Sequence, residues 1–104
     1  MRSSIHGHNA MKDAQITSLA EFISVLNQLF AETHEADDRP LYESYLSHAG
    51  VILAKVIQNK AIGNDVDTME HLFGNTWLKD EAAYSKAYAA WDRFKGLLKQ
   101  SIHA

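Results

Sequence analysis

The chain of 104 residues contains no cysteine. Without thiols it cannot form a disulfide framework, a thiolate nucleophile, or a cysteine-ligated zinc or iron–sulfur site. This composition fits a reducing compartment, and we expect a cytoplasmic protein. Proline occurs once, at Pro40, and the five glycines are scattered, so there is no glycine-rich loop that could bind a phosphate group.

Long apolar runs and an excess of basic residues are also missing. The longest run, "AGVILAKVI" at 49–57, is interrupted by a lysine, whereas a membrane-spanning helix needs about 20 apolar residues. The net charge is −3, which does not provide the basic face that phosphate binding requires. We therefore expect a soluble protein whose partner is neither a membrane nor a nucleic acid.

The N-terminal segment differs from the rest of the chain. Residues 1–13, "MRSSIHGHNAMKD", have one arginine but no apolar core behind it, so they do not form a signal peptide. We expect residues 1–15 to be a disordered or loosely ordered leader, and residues 16–104 to form a single domain of ordinary globular composition.

Apolar residues recur at helical spacing in three long segments and one short one. The first helix is predicted over 18–34, with Ser18 and Glu21 as a capping box. The second follows Asp37 and Asp38, either of which can cap it, and ends at Gly63.

The second half of the chain continues the pattern. A short helix is predicted over 67–73, with Asp67 and Glu70 as a second capping box and Gly74 as its end. The last helix begins with Asp80 as its cap. Because short connections make successive helices antiparallel neighbours, the predicted fold is all-α: an antiparallel helical bundle of three long amphipathic helices plus one short helix.

The acidic segment "ETHEADD" at 32–38 could suggest a metal site. However, Glu32 and His34 are two residues apart, and His34 and Glu35 are adjacent, so these pairs point to different faces of a helix. No Glu-x-x-His pair occurs anywhere in the chain. We interpret the segment as the end of one helix and the cap of the next, and we expect neither a metal ion nor another cofactor.

Aromatic residues are the most distinctive feature. Tyr84, Tyr88 and Trp91 share one face of the last predicted helix, and Trp77 lies just before that helix. Tyr42 and Tyr45 lie at the start of the second predicted helix. Such rings usually form core, because each buries a large area. The same residues could line a ligand pocket or a dimer interface, and the sequence leaves these three alternatives open.

The second helix is predicted to have more apolar surface than its neighbours can cover. Its apolar arc runs from Leu41 round to Ile57. Gly50 lies midway along the helix and faces the edge of this apolar stripe, and we expect another helix to approach closely there. Within this pattern Leu53 is predicted to be buried and Val51 to be exposed. Two-fold pairing of chains would cover the remaining edge, so we predict a homodimer.

No catalytic motif is present: the sequence has neither a nucleophile elbow nor a histidine pair at metalloprotease spacing. We therefore expect a non-enzymatic binding or regulatory module. One alternative is a small enzyme, or a protein that binds a small apolar ligand between its aromatic residues. Another is an acidic inhibitor of a basic partner, since the chain resembles the helical immunity proteins that neutralise basic nuclease toxins in size, helicity and sign of charge.

Overall fold

The computed structural model describes residues 3–32, 39–74 and 81–103, with side chains described for 10–32, 39–74 and 81–100. Four α-helices follow one another: α1 (Ser3–Glu32), α2 (Arg39–Ile57), α3 (Gly63–Met69) and α4 (Ser85–His103). A π-helical turn, Glu70–Gly74, continues α3, and a 3-10 turn, Ala82–Tyr84, leads into α4. The described residues contain no strand, and the predicted all-α bundle is confirmed.

Helix α1 runs between α2 and α4 and is antiparallel to both. Near its C-terminal end, the ring of Phe30 lies 6.1 Å from that of Tyr42 at the start of α2. Further back along α1, Glu21 pairs with Arg93 near the middle of α4. Because α1 has 30 residues, it is about 45 Å long at 1.5 Å per residue, close to the 52 Å length of the molecule.

The predicted start of the first helix at Ser18 is wrong, since α1 begins at Ser3. Ser18 is not a cap; its Oγ donates a hydrogen bond of 2.9 Å to the carbonyl oxygen of Ala14, one turn earlier in the same helix. Gln15 and Ser18 occupy buried positions of α1. These polar residues interrupt the apolar spacing on the buried face, so the sequence pattern does not predict a helix in this part of the chain. The division into a leader over 1–15 and a domain over 16–104 stays a prediction.

Helix α2 ends earlier than predicted, and Asn59 rather than Gly63 ends it. Asn59 has a positive φ of 60°, the left-handed conformation that closes many helices. Its amide donates to the carbonyl of Val56 at 3.1 Å, and the amide of Lys60 donates to that of Lys55 at 2.8 Å. This pair of bonds is a Schellman motif, which satisfies the last carbonyl groups of the helix.

Gly63 instead begins α3, so the predicted capping box of Asp67 and Glu70 is also wrong. Asp67 lies inside α3 and Glu70 opens the π-helical turn. The π-helical turn includes Gly74, the predicted end of the short helix, and the residues that follow Gly74 lie outside the described ones. The other predicted caps, Asp37, Asp38 and Asp80, lie outside the described residues, as does most of the acidic segment.

The core is formed by residues from every helix, with the largest buried side chains on α1, α2, α4 and the π-helical turn. Val51 is exposed as expected, and Leu26 of α1 is fully buried. Leu53 is only half-buried, because it lies at the edge of the buried stripe of α2. In the described part of the chain, no helix combines the length and the apolar character that crossing a membrane requires.

Candidate functional site

The predicted aromatic residues are largely buried within one chain. Tyr45 and Trp91 are fully buried, and Tyr42 and Tyr84 are 4% and 9% exposed. Tyr88 is half-buried against the same core. Trp77 lies outside the described residues. The structure therefore places the five described residues in or against the hydrophobic core.

Two phenylalanines that the sequence does not single out connect these rings. The ring of Phe73 stacks on Tyr88 at 4.1 Å between centroids and lies 5.0 Å from Tyr45 and 5.2 Å from Phe22. Phe22 in turn lies 5.4 Å from Trp91. Aromatic pairs at such distances add to the stability that burial alone provides. Phe22 and Phe73 are thus the centre of the packing between α1, α2 and α4.

The hydroxyl groups of Tyr42, Tyr84 and Tyr88 form hydrogen bonds inside this core. Tyr42 and Tyr84, at the starts of α2 and α4, are hydrogen-bonded through their hydroxyl oxygens. The hydroxyl of Tyr88 donates to the backbone carbonyl of Phe73 at 2.6 Å. These bonds supply the polar contacts that buried tyrosines need. They tie α2 to α4, and α4 to the π-helical turn.

An ion pair lies beside the aromatic core, on the π-helical turn. Oε1 of Glu70 accepts a hydrogen bond from Nε1 of Trp91 at 3.3 Å and pairs with Nζ of Lys95. Nζ of Lys95 also lies 3.4 Å from Oδ1 of Asp92. Partial burial alone would lower the pKa of Lys95, but the hydrogen bonds and charges of Glu70 and Asp92 outweigh it and raise the pKa. Lys95 is therefore a fixed cation, unsuited to act as a general base.

Gly74 makes room for the carboxylate of Glu70. A Cβ atom built on Gly74 would lie 1.9 Å from Oε2 of Glu70, much closer than atoms can approach. The φ angle of Gly74 is not positive, so glycine is needed here because it lacks a side chain and not because of its backbone conformation. The π-helical turn, Gly74 and Glu70 together position the acceptor for Trp91 and Lys95.

We expect Glu70→Ala to lower the free energy of unfolding by about 1–3 kcal/mol, because it leaves a half-buried lysine and a buried indole N–H without their acceptor. Gly74→Ala should lower it by a similar amount, because the added methyl displaces the same carboxylate. The double variant should lose less than the two single losses added together, since both act on one contact.

Urea denaturation of the three variants measures this coupling. Asp67→Ala is the matched control, since Asp67 is an exposed acid on the neighbouring helix α3, and it should change stability by no more than about 0.5 kcal/mol. Full additivity of the two changes would contradict a shared contact.

A shallow cleft of about 210 Å³ lies between the end of α1 and the beginning of α4. Its apolar lining comes from Val25, Leu29, Ala82 and Ala83, with polar and charged groups beside them. None of the predicted aromatic residues lines it. Its volume is below the roughly 300–1,000 Å³ typical of small-molecule sites.

Apolar surface remains on α2, on the flank beside its buried stripe, where Leu46 and Leu53 also pack partly against the core of the same chain. We call this surface the outer face of α2; it consists of Leu46, Gly50, Val51, Leu53, Ala54 and Ile57. Ile57 is 51% exposed and Val51 is 42% exposed. A Cβ atom built on Gly50 would meet no atom of the described residues within 4 Å, so none of the described helices makes the expected close approach at Gly50.

The outer face of α2 also lacks charge. From Leu46 to Ile57 the only lysine, arginine or acidic residue of α2 is Lys55, which points to the opposite flank and pairs with Asp65 at 2.8 Å. The solvent-facing side of a helix in a globular protein normally carries charged and polar residues. An uncharged, partly apolar outer face is instead typical of a helix that contacts another molecule.

No group of three or more acidic or histidine side chains within the described ranges could hold a metal ion. Asp65 and Glu70, two of the acids that would mark an acidic docking surface, are paired with lysines of the same chain.

No protein-family model, curated protein or solved structure matches this chain.

Proposed function

We propose that the protein is a non-enzymatic binding module that acts as a homodimer and pairs through the outer face of α2. The observation that carries the proposal is the combination on this face of exposed apolar side chains, a glycine that no described residue contacts, and no charged side chain between Leu46 and Ile57. Such a face loses unfavourable contact with water when a second copy covers it. Two-fold dimers are the commonest oligomers of soluble proteins.

The burial of the aromatic rings also favours pairing through the outer face of α2. The rings that could have formed a second interface on α4, those of Tyr84 and Trp91, are buried against α1 and α2. The alternative of a small-ligand site is less well supported, because the cleft is small and has no aromatic lining. The alternative of an acidic inhibitor is weakened by the ion pairs of Asp65 and Glu70.

Sedimentation velocity from high to low micromolar concentration tests the proposal. We expect a species of twice the chain mass of 11.7 kDa at the high end, dissociating on dilution. A single species at the chain mass over the whole range would overturn the proposed homodimer.

Gly50→Ala should separate folding from pairing. In the isolated chain the new methyl meets nothing, and alanine is a better helix former than glycine, so the free energy of unfolding should rise by about 0.5–1 kcal/mol. In the dimer the same methyl should hinder close approach and weaken association several-fold. Thermal melts at low concentration and sedimentation at high concentration measure the two effects. A stabilised chain with unchanged association would exclude Gly50 from the contact.

A further inference from the structure

We propose that the two copies pair with their α2 helices antiparallel, with Gly50 of one chain opposite the partner's Leu53 and Glu43 close to the partner's Lys60. This inference rests on the proposed homodimer and adds its orientation and register. We choose a second copy of the chain as the partner because the residue sizes and charges along α2 are complementary to those of the same helix in reverse order.

The first observation is the spacing of the residues in the centre of the outer face. Leu46, Gly50, Leu53 and Ile57 follow one another at intervals of four, three and four residues. This alternation is the heptad spacing with which one helix packs along another in a narrow seam. The exposed residue Ala54 flanks the seam on one side, and the exposed residue Val51 lies further round the helix on that side.

The second observation is the match of sizes that an antiparallel pairing gives. When Gly50 faces the partner's Leu53, the same register sets Leu46 opposite the partner's Ile57. No described residue fills the space above Gly50, which can receive a leucine side chain. A parallel pairing would instead put glycine against glycine in one layer and leucine against leucine in the next, which leaves a gap beside a crowded layer.

The third observation is the charge at the two ends of the seam. Glu43, near the start of α2, and Lys60, just after its end, are both exposed, and among the described residues neither has an ion-pair partner. The antiparallel register brings Glu43 towards the partner's Lys60, and the reverse, at both ends. A parallel register would place the two Glu43 side chains next to each other. Exposed pairs contribute little to affinity, but their sign favours one orientation over the other.

Because the chain has no cysteine, disulfide crosslinking with introduced cysteines can read the orientation. Leu46→Cys and Ile57→Cys are prepared separately, mixed in equal amounts and oxidised, and the products are separated under non-reducing conditions. The antiparallel register predicts a crosslinked heterodimer in the mixture, in at least several-fold excess over the crosslinked product of either variant alone. Ala89→Cys, at an exposed position of α4, gives the background from random collisions.

A second pair, Glu43→Cys with Lys60→Cys, alters only exposed residues and keeps the test valid if Leu46→Cys fails to fold. It should show the same preference for the mixture. Self-crosslinking of Leu46→Cys or Glu43→Cys as efficient as that of the mixtures would overturn the antiparallel arrangement, as would crosslinking at the Ala89→Cys background. Either result, with a wild-type chain that sediments as a dimer, leaves the homodimer standing and rejects only its orientation.

Discussion

Replacing Phe22 with alanine should lower the free energy of unfolding by about 3–5 kcal/mol, the usual loss for a buried aromatic side chain. Phe22 is fully buried on α1, and its ring contacts those of Phe73 and Trp91. It therefore joins the central helix to α4 and to the π-helical turn at once. A loss of this size would remove much of the stability of a domain of about 100 residues, which is typically 5–15 kcal/mol in total.

Urea denaturation followed by circular dichroism measures the loss, and Val51→Ala is the control, since it also removes apolar atoms but from an exposed position. We expect Val51→Ala to cost less than about 1 kcal/mol in the monomer. Both variants are compared at a concentration low enough to keep the chain monomeric. Similar losses for the two would mean that α1 packs with a different face towards its neighbours.

Replacing Ile57 with glutamate should weaken the homodimer by roughly 100-fold, equivalent to about 2.8 kcal/mol at 1.4 kcal/mol per factor of ten. Ile57 is the most exposed large apolar residue among those described. In the proposed seam it becomes covered, and a carboxylate at this position would lose its water without gaining a positive partner. The fold should tolerate the change, because half of the side chain is already in water.

Ala89→Glu is the control for net charge, because it introduces the same carboxylate at an exposed position of α4. Its dissociation constant should stay within a few-fold of wild type, while that of Ile57→Glu should rise by roughly 100-fold. Concentration-dependent sedimentation gives both constants. Equal effects of the two substitutions would indicate general charge repulsion and not a specific contact of α2.

The buried stripe of α2 was predictable from the sequence. Tyr42, Tyr45, Ala49, Ile52 and Val56 repeat at intervals of three and four residues, and all five are buried in the structure. Periodicity succeeds here because every core position of this helix carries an apolar residue.

The first half of α1 was not predictable in the same way. Gln15 and Ser18 occupy buried positions there, and a serine followed by a glutamate resembles a helix start. The hydroxyl of Ser18 instead bonds back to Ala14, an arrangement that a serine can adopt inside a helix. The sequence alone does not distinguish these two uses of serine.

The ion pair on the π-helical turn could not have been predicted either. Glu70 and Lys95 are far apart in sequence, and the contact depends on a turn whose geometry differs from that of an α-helix. From the sequence, the spacing of Glu70 from Asp67 predicts a capping box instead. The role of Gly74 follows only from the distance between its Cβ position and the carboxylate.

An NMR dilution series tests most directly whether the outer face of α2 pairs two copies of the chain. Backbone amide resonances of an isotopically labelled chain are recorded from millimolar to low micromolar concentration. We predict concentration-dependent shifts centred on Gly50, Ala54 and Ile57, with those of the exposed α4 residues Ala89 and Arg93 unchanged. Shifts centred on α4, or none over the whole range, would contradict the claim that α2 pairs two copies of this chain.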